Sequence, residues 1–289
     1  ARGTDGCDTT RDSAVPAVGL IAVGCAKNEV DSAAMARRLR EAGLSVTEEA
    51  SSADAIIVNT CSFIQSATEE SIEAVFDAAG MPNVAAGAPL IVAGCMPARY
   101  GEDLADELVE ARAFVPCSRE DDIAAIVADA LGVDAPGGGA AASVTLSASG
   151  GAAEVEGSRA ALAALPAAPF AYVKISDGCD RFCTYCTIPY IRGRYRSFPL
   201  DDVRADVAAQ VAAGAREIVL IAQDTGRWGA DLPDGRDLAW RVDTLAGAHP
   251  DTGFRVMYLQ PEGATDELLS VMAARENVCS YLDMPLQHV

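Results

Sequence analysis

The chemistry-bearing feature of this chain is the run Cys179-Asp180-Arg181-Phe182-Cys183-Thr184-Tyr185-Cys186, three thiols spaced C-x3-C-x2-C. Four iron atoms held by three thiolates leave one iron open, able to bind a small molecule and pass it an electron. A structural zinc site is closed by four ligands, and here a fourth could come only from the distant His249, His288 or Cys279. The unequal spacing therefore favours an iron-sulfur cluster on Cys179, Cys183 and Cys186 over zinc.

A second set of thiols is dispersed. Cys25 follows Val23-Gly24, Cys61 follows Asn59-Thr60 and Cys95 follows Ala93-Gly94, each just past the carboxyl end of an apolar run that reads as a strand. In a parallel sheet those ends lie side by side, and ligand sites of open α/β folds form in the crevice beyond them. Separations of 36 and 34 residues can thus converge on one centre. Small buried cysteines commonly fill cores, but recurrence at one topological position in three successive units argues for ligation. Cys117 also follows an apolar run, Ala113 to Pro116, although Pro116 weakens that strand end as a source of a fourth ligand.

The elements that must position these thiols alternate. Gly19 to Val23 reads as a strand, followed by a helix capped by Asp31 or Ser32, with Met35 and Leu39 on one face and Gly43 as its stop. Ala55 to Val58 precedes a helix whose predicted buried stripe is Ile72, Val75, Phe76 and Ala79, and Leu90 to Ala93 is a further strand. Apolar strands alternating with amphipathic helices imply a parallel sheet covered on both faces. A second series comprises Ala171 to Ile175, a helix carrying Val203, Val207 and Val211 and ending at Gly214, then Ile218 to Ile221, Phe254 to Tyr258 and Tyr281 to Met284. Four such strands are about half of an α/β barrel, with the cysteine cluster at its mouth, where barrels place their active sites. The expected fold class is α/β, a doubly wound parallel sheet followed by a partial (β/α) barrel. Expected boundaries are a disordered extension over 1–17, a first domain over 18–131, an Ala/Gly/Ser-rich linker over 132–166 and a second domain over 167–289. The chain begins without Met and stops after an apolar run, which reads as a fragment; Cys7 falls in the extension and has no expected role.

Composition narrows the function classes. The chain carries 42 acidic and 22 basic residues, a net charge of −20, the wrong sign for gripping a phosphate backbone and better suited to a basic protein partner. No apolar run approaches the ~20 residues of a membrane span, and the first residues lack the order of a secretory signal, so a cytoplasmic location is expected. Nine cysteines at uneven spacings then read as free ligands rather than a disulfide frame. With two histidines and no defensible Ser-His-Asp or paired-carboxylate set, cofactors must carry the reaction.

The C-x3-C-x2-C run with aromatic Tyr185 before its last Cys resembles the radical S-adenosylmethionine superfamily. Together with Gly24 to Asn28, Asn59 to Cys61 and Ala93 to Met96, the chain from Val18 onward resembles the methylthiotransferases of that superfamily. Several segments are similar to the RimO type: Cys25 to Ser32, Asn59 to Ile64, Ala222 to Thr225, Pro261 to Gly263 and Tyr281 to His288. The tRNA-modifying branch usually has Gln-Met-Asn after the first Cys and Gln-Asn in place of Gln223-Asp224. The chain departs from the RimO pattern at Ala33, commonly Glu, and at Phe198, which replaces the usual Arg.

The resemblance implies two 4Fe-4S clusters. One, on Cys179, Cys183 and Cys186, chelates S-adenosylmethionine, with Tyr185 near that cofactor, and generates a 5′-deoxyadenosyl radical that abstracts hydrogen from the β-carbon of an aspartate in a small-subunit ribosomal protein. The auxiliary cluster, on Cys25, Cys61 and Cys95, holds the sulfur that is delivered as methylthio; the sulfide source and electron donor are left open. It also implies a remaining barrel portion and a C-terminal TRAM domain beyond this sequence. Competing readings are a tRNA methylthiotransferase and a non-catalytic iron-sulfur or zinc-binding scaffold.

Overall fold

The structure is a computed structural model that describes residues 15–133 and 169–286. The expected linker lies almost wholly outside those residues, as do Cys7 and His288.

The first series of elements is β1 (Ala17–Ala22), α1 (Ala26–Glu41), β2 (Ser45–Thr47), β3 (Ala55–Thr60), α2 (Gln65–Ala79), α3 (Pro82–Ala85), β4 (Leu90–Gly94), α4 (Cys95–Tyr100), α5 (Asp103–Glu107), β5 (Ala113–Pro116) and α6 (Ile123–Leu131). Its five strands pair only in parallel, in the order β2-β1-β3-β4-β5, a doubly wound order of the flavodoxin kind. The central strand β3 is buried at every residue. Because successive side chains point to opposite faces, Ala55 and Ile57 meet Met35, Leu39, Ile123 and Val127 on one side, while Ile56 and Val58 meet Val75, Ala78 and Met96 on the other. Both faces are thus covered by helices, as the uninterrupted apolar runs required.

The second series is β6 (Phe170–Lys174), β7 (Ser176–Asp177), α7 (Ile188–Ile191), β8 (Arg196–Ser197), α8 (Leu200–Ala212), β9 (Glu217–Ile221), α9 (Leu238–Ala248), β10 (Gly253–Val256) and α10 (Asp266–Ala274). Strands β10-β9-β6 form a parallel sheet, and β7 and β8 form a short antiparallel pair. Val203, Val207, Leu220, Leu245 and Phe254 join one core, with Val211 partly buried against it. Phe198 belongs to that core at 3% exposure; its carbonyl accepts a hydrogen bond from Trp228 Nε1 at 2.9 Å. Of the two positions that depart from the RimO pattern, Phe198 is therefore a core-filling one in this chain.

Three expectations are corrected, and one strand is added to them. Helix α1 begins five residues before Asp31, with Cys25 at its N-cap, because Asp31 and Ser32 are buried within the helix by tertiary partners and not free to cap it. The buried stripe of α2 is Ser71, Val75 and Ala78, and Ile72 and Phe76 lie towards solvent. Tyr281 to Met284 is not a strand: the segment is held past the end of β10, where Asp283 accepts from Leu259 N–H and Tyr258 N–H, each at 2.9 Å. The short edge strand β2, whose three residues carry little apolar pattern, escapes sequence reasoning.

The crevice at the carboxyl ends of β3 and β4 is tight enough to dictate glycine. Gly94 has φ +94°, and a Cβ there would lie 2.2 Å from Asn59 Oδ1 and 2.6 Å from Thr60 O. Gly94→Ala is expected to cost about 2–3 kcal/mol, read as a lower urea midpoint with unchanged slope.

Candidate metal centres

The three dispersed thiols occupy equivalent places in successive units. Cys25 is the N-cap of α1, Cys61 directly follows β3 and Cys95 is the first residue of α4, directly after β4. Gly24, with φ +104°, presses so closely on Cys61 that a Cβ would sit 2.3 Å from Cys61 Cβ and 3.0 Å from its Sγ. A hydrogen bond between the thiols of Cys25 and Cys61, together with burial, pushes the Cys25 thiol well above its ordinary range. Cys95 contacts Cys61 on one side and Cys117 on the other; the bond with Cys117 and burial push its thiol up to about 12. Gly94 and Pro116 are register partners, which places Cys117 beside Cys95. The chain of thiols thus runs Cys25, Cys61, Cys95, Cys117.

Strand ends are pinned by the buried amides of Asn28 and Asn59, which the motifs contain without an assigned role, and by the hydroxyl of Ser71, which no motif marks. Asn28 Nδ2 donates to Val23 O at 3.1 Å and Thr60 O at 2.8 Å, and Asn59 Nδ2 donates to Asn28 O at 3.0 Å and Ser32 Oγ at 2.8 Å. Ser71, from the middle of α2, donates to Cys61 O at 2.7 Å and accepts from Cys61 N–H at 2.9 Å. These bonds fix the backbone beside Cys25 and Cys61. A cavity of about 320 Å3 opens above them, lined by Gly24, Cys25, Asn28 and Glu29 and by Tyr172 of β6. Lys27 reaches across to the second sheet, its Nζ 3.0 Å from the Tyr258 ring centroid, and burial lowers its ammonium to about 8.

The clustered cysteines sit on a loop just past β6 and β7. Cys179 is buried, Cys183 and Cys186 are half-buried, and Tyr185 is 65% exposed. Between the thiols the loop is tied down by its own polar residues. Asp180 accepts from Tyr195 N–H at 3.2 Å, and Cys179 N–H donates to Gly193 O at 3.2 Å. Arg181 donates to both oxygens of fully buried Asp224, at 2.6 and 3.2 Å, and to Glu262. The motif segments containing Asp224 and Glu262 therefore converge on the cysteine loop. Phe182 has φ +46°, a left-handed conformation that turns the chain between Cys179 and Cys183.

The donors that both sets offer are of the kind thiophilic metals take. All eight described cysteines are free, and soft thiolates suit iron-sulfur chemistry. Among the described residues, no three His, Cys, Asp or Glu side chains close around one point as a single-ion cage. The distant zinc candidates lie elsewhere: His249 follows α9 with its ring 6.5 Å from Phe254 of the edge strand β10, and Cys279 N–H bonds to the same residue's carbonyl.

An ion cluster missed at the sequence level joins the two sheets. Asp31 of α1 receives Lys174 Nζ of β6 at 2.5 Å and Arg192 Nη1, just past α7, at 2.5 Å, each of the three being 5% exposed at its side chain. Lys174 also meets Asp177 at 3.0 Å. Burial works against the charged form of Lys174, but Asp177 and Asp31 outweigh it and hold the ammonium above its ordinary range. Asp177 is half-buried, which works against its charged form, yet Lys174 and Arg192 keep its carboxyl well below the usual range. Glu120 completes the surroundings, buried with Oε1 lacking a hydrogen-bond partner, and burial with the nearby Asp31 pushes it up to about 8.

Comparison with known proteins places this geometry in context. Residues 17–116 match the family described as "Uncharacterized protein family UPF0004". The chain is 36% identical over 272 residues to the curated "Ribosomal protein uS12 methylthiotransferase RimO" of Natranaerobius thermophilus, covering 94% of this chain and 59% of that protein. It is 39% identical to the proteins of the same description from Desulfosudis oleivorans and Geobacter sulfurreducens, covering 94% of this chain and 60% and 59% of theirs. The chain thus spans about 60% of the length of the curated relatives it matches. The solved radical S-adenosylmethionine methyltransferase TsrM from Kitasatospora setae, with cobalamin and a 4Fe-4S cluster bound, aligns at TM-score 0.65 and 13% identity, covering 96% of this chain and 59% of that one. That likeness is one of fold, and it agrees with the expected α/β class.

The raised Glu120 sets a pH dependence. Its folded value of about 8 exceeds the ordinary carboxyl value, so the folded state binds the extra proton and stability falls as pH rises from about 5 through 8. Glu120→Gln removes that proton linkage. Thermal melts of the variant should show a flatter pH profile, with a gain of about 1 kcal/mol or more at pH 8 and little change at pH 5.

Proposed function

We propose that this chain, which belongs to the RimO-type methylthiotransferases, is the cluster-bearing part of a radical S-adenosylmethionine enzyme that methylthiolates an aspartate β-carbon in ribosomal protein uS12. The observation that carries the proposal is a group of thiols at the strand ends of each sheet, the first comprising Cys25, Cys61 and Cys95 with Cys117 beside Cys95. Cys179, Cys183 and Cys186 would hold one 4Fe-4S cluster and Cys25, Cys61 and Cys95 the other. When bound, the first supplies reductive cleavage of S-adenosylmethionine and the second a site for the sulfur to be transferred. The two sheets are proposed to be separate domains divided at the Ala/Gly/Ser-rich stretch.

The chain's own residues account for much of what such chemistry needs. Arg181, through Asp224 and Glu262, holds the cysteine loop in place, while the open side of that loop presents Tyr185 and the half-buried Cys183 and Cys186. Asn28, Asn59 and Ser71 hold the strand ends that carry the other thiols. The thiols of Cys25 and Cys95, held protonated, must lose protons as metal binds, so loading should be favoured by higher pH. The net charge of −20 suits a basic ribosomal protein. A cytoplasmic setting follows from that substrate, and no helix among the described residues is long and apolar enough to cross a membrane.

Anaerobic reconstitution tests the proposal. The chain should take up about eight irons and eight sulfides, falling to about four when Cys179, Cys183 and Cys186 are all changed to Ala, or when Cys25, Cys61 and Cys95 are. The loaded chain should cleave S-adenosylmethionine, and Cys183→Ala should abolish cleavage. Bound zinc without cleavage overturns the cluster assignment. Mass analysis finding the methylthio group on tRNA rather than on uS12, with the longer protein, overturns the substrate.

A further inference from the structure

Arg192 belongs to the second sheet's elements yet ends among the first sheet's thiols. Its Nη1 is 2.5 Å from Asp31 Oδ2, and its Nη2 lies 2.7 Å from Asn28 Oδ1 and 3.3 Å from Cys95 Sγ. The side chain is 5% exposed, so no solvent screens it. A guanidinium is a planar fork with its charge fixed at any working pH. One arm is satisfied by the ion pair with Asp31. The other is aimed at a sulfur and at the amide that itself pins Val23 and Thr60, the residues before Gly24-Cys25 and Cys61.

An ion pair between the sheets would need only the first arm. A charge-assisted hydrogen bond to a ligand sulfur is the kind of outer contact by which a protein sets the electronics of a bound cluster, stabilising the form with more negative charge. We propose that Arg192 is a positioning residue of the first thiol site, supplied from the second sheet, which raises the reduction potential of the cluster held there through its bond to Cys95 Sγ. The inference deepens the proposed function and rests on Cys25, Cys61 and Cys95 holding an iron-sulfur cluster. It makes the electronic state of that cluster depend on how the two sheets are docked.

The test uses the full chain with Cys179, Cys183 and Cys186 changed to Ala, reconstituted anaerobically so that only the first site is loaded, and titrated under electron paramagnetic resonance. Arg192→Gln, which keeps hydrogen-bonding capacity but loses the charge, should shift the midpoint potential to more negative values, and Arg192→Lys should restore most of it. Asp31→Asn removes the charge of the same inter-sheet pair but keeps an oxygen that accepts from Arg192 and leaves the bonds to Asn28 and Cys95, and should give no negative shift. Should Arg192→Gln alone not fold, the double variant with Asp31→Asn leaves neither charge of that pair behind, and should still lie negative of Asp31→Asn. An unchanged potential in Arg192→Gln, or an equal negative shift in Asp31→Asn, overturns the inference. A parent chain that takes up no iron overturns the cluster reading itself.

Discussion

A single carboxylate, Asp31, carries the arrangement of this molecule. It lies in α1, the helix that starts at Cys25, and it is gripped by Lys174 and Arg192 from the other sheet. Buried charges are costly unless paired, and removing one partner of such a set leaves another stranded. The set is therefore a device of orientation more than of stability: two sheets with separate cores can slide or rock on an apolar face, but not across a shared set of buried charges. Everything the two thiol sites could do together depends on that constraint.

The same pairing explains where local sequence rules fail. Asp31 and Ser32 look like helix caps, and in isolation would be good ones. Tertiary partners draw both inside α1, so the helix starts at Cys25, and the first thiol acquires an N-cap position whose backbone is extended. Helix α2 shows the complementary failure: Ser71 displaces Ile72 from the buried face because it is needed at Cys61.

Fold class and the thiol positions were legible because parallel strands buried on both faces must be continuously apolar, and because the residue after each strand end is counted directly from the pattern. Strand β3 is such a run, and Cys61 directly follows it. What could not be read were partners far apart in sequence. Lys174 and Arg192 look like ordinary charges in a chain with 22 basic residues, and no period or spacing marks them as neighbours of Asp31. The small second sheet was over-read as four strands because Tyr281 to Met284 is apolar enough to be one, yet its Asp283 bonds to Tyr258 and Leu259, past the end of β10.

The anchoring of the cysteine loop has a consequence for binding entropy. Flexible loops that must fold around a metal give up conformational freedom at the moment of capture, on the order of 1–2 kcal/mol for each residue ordered. Here Asp180 and Arg181, the two residues following Cys179, are already held by Tyr195, Asp224 and Glu262. That cost has been met during folding by residues that are not ligands. A ligand held by these thiols would therefore meet a loop whose first turn is already ordered, and less of its binding free energy would be spent on ordering the chain.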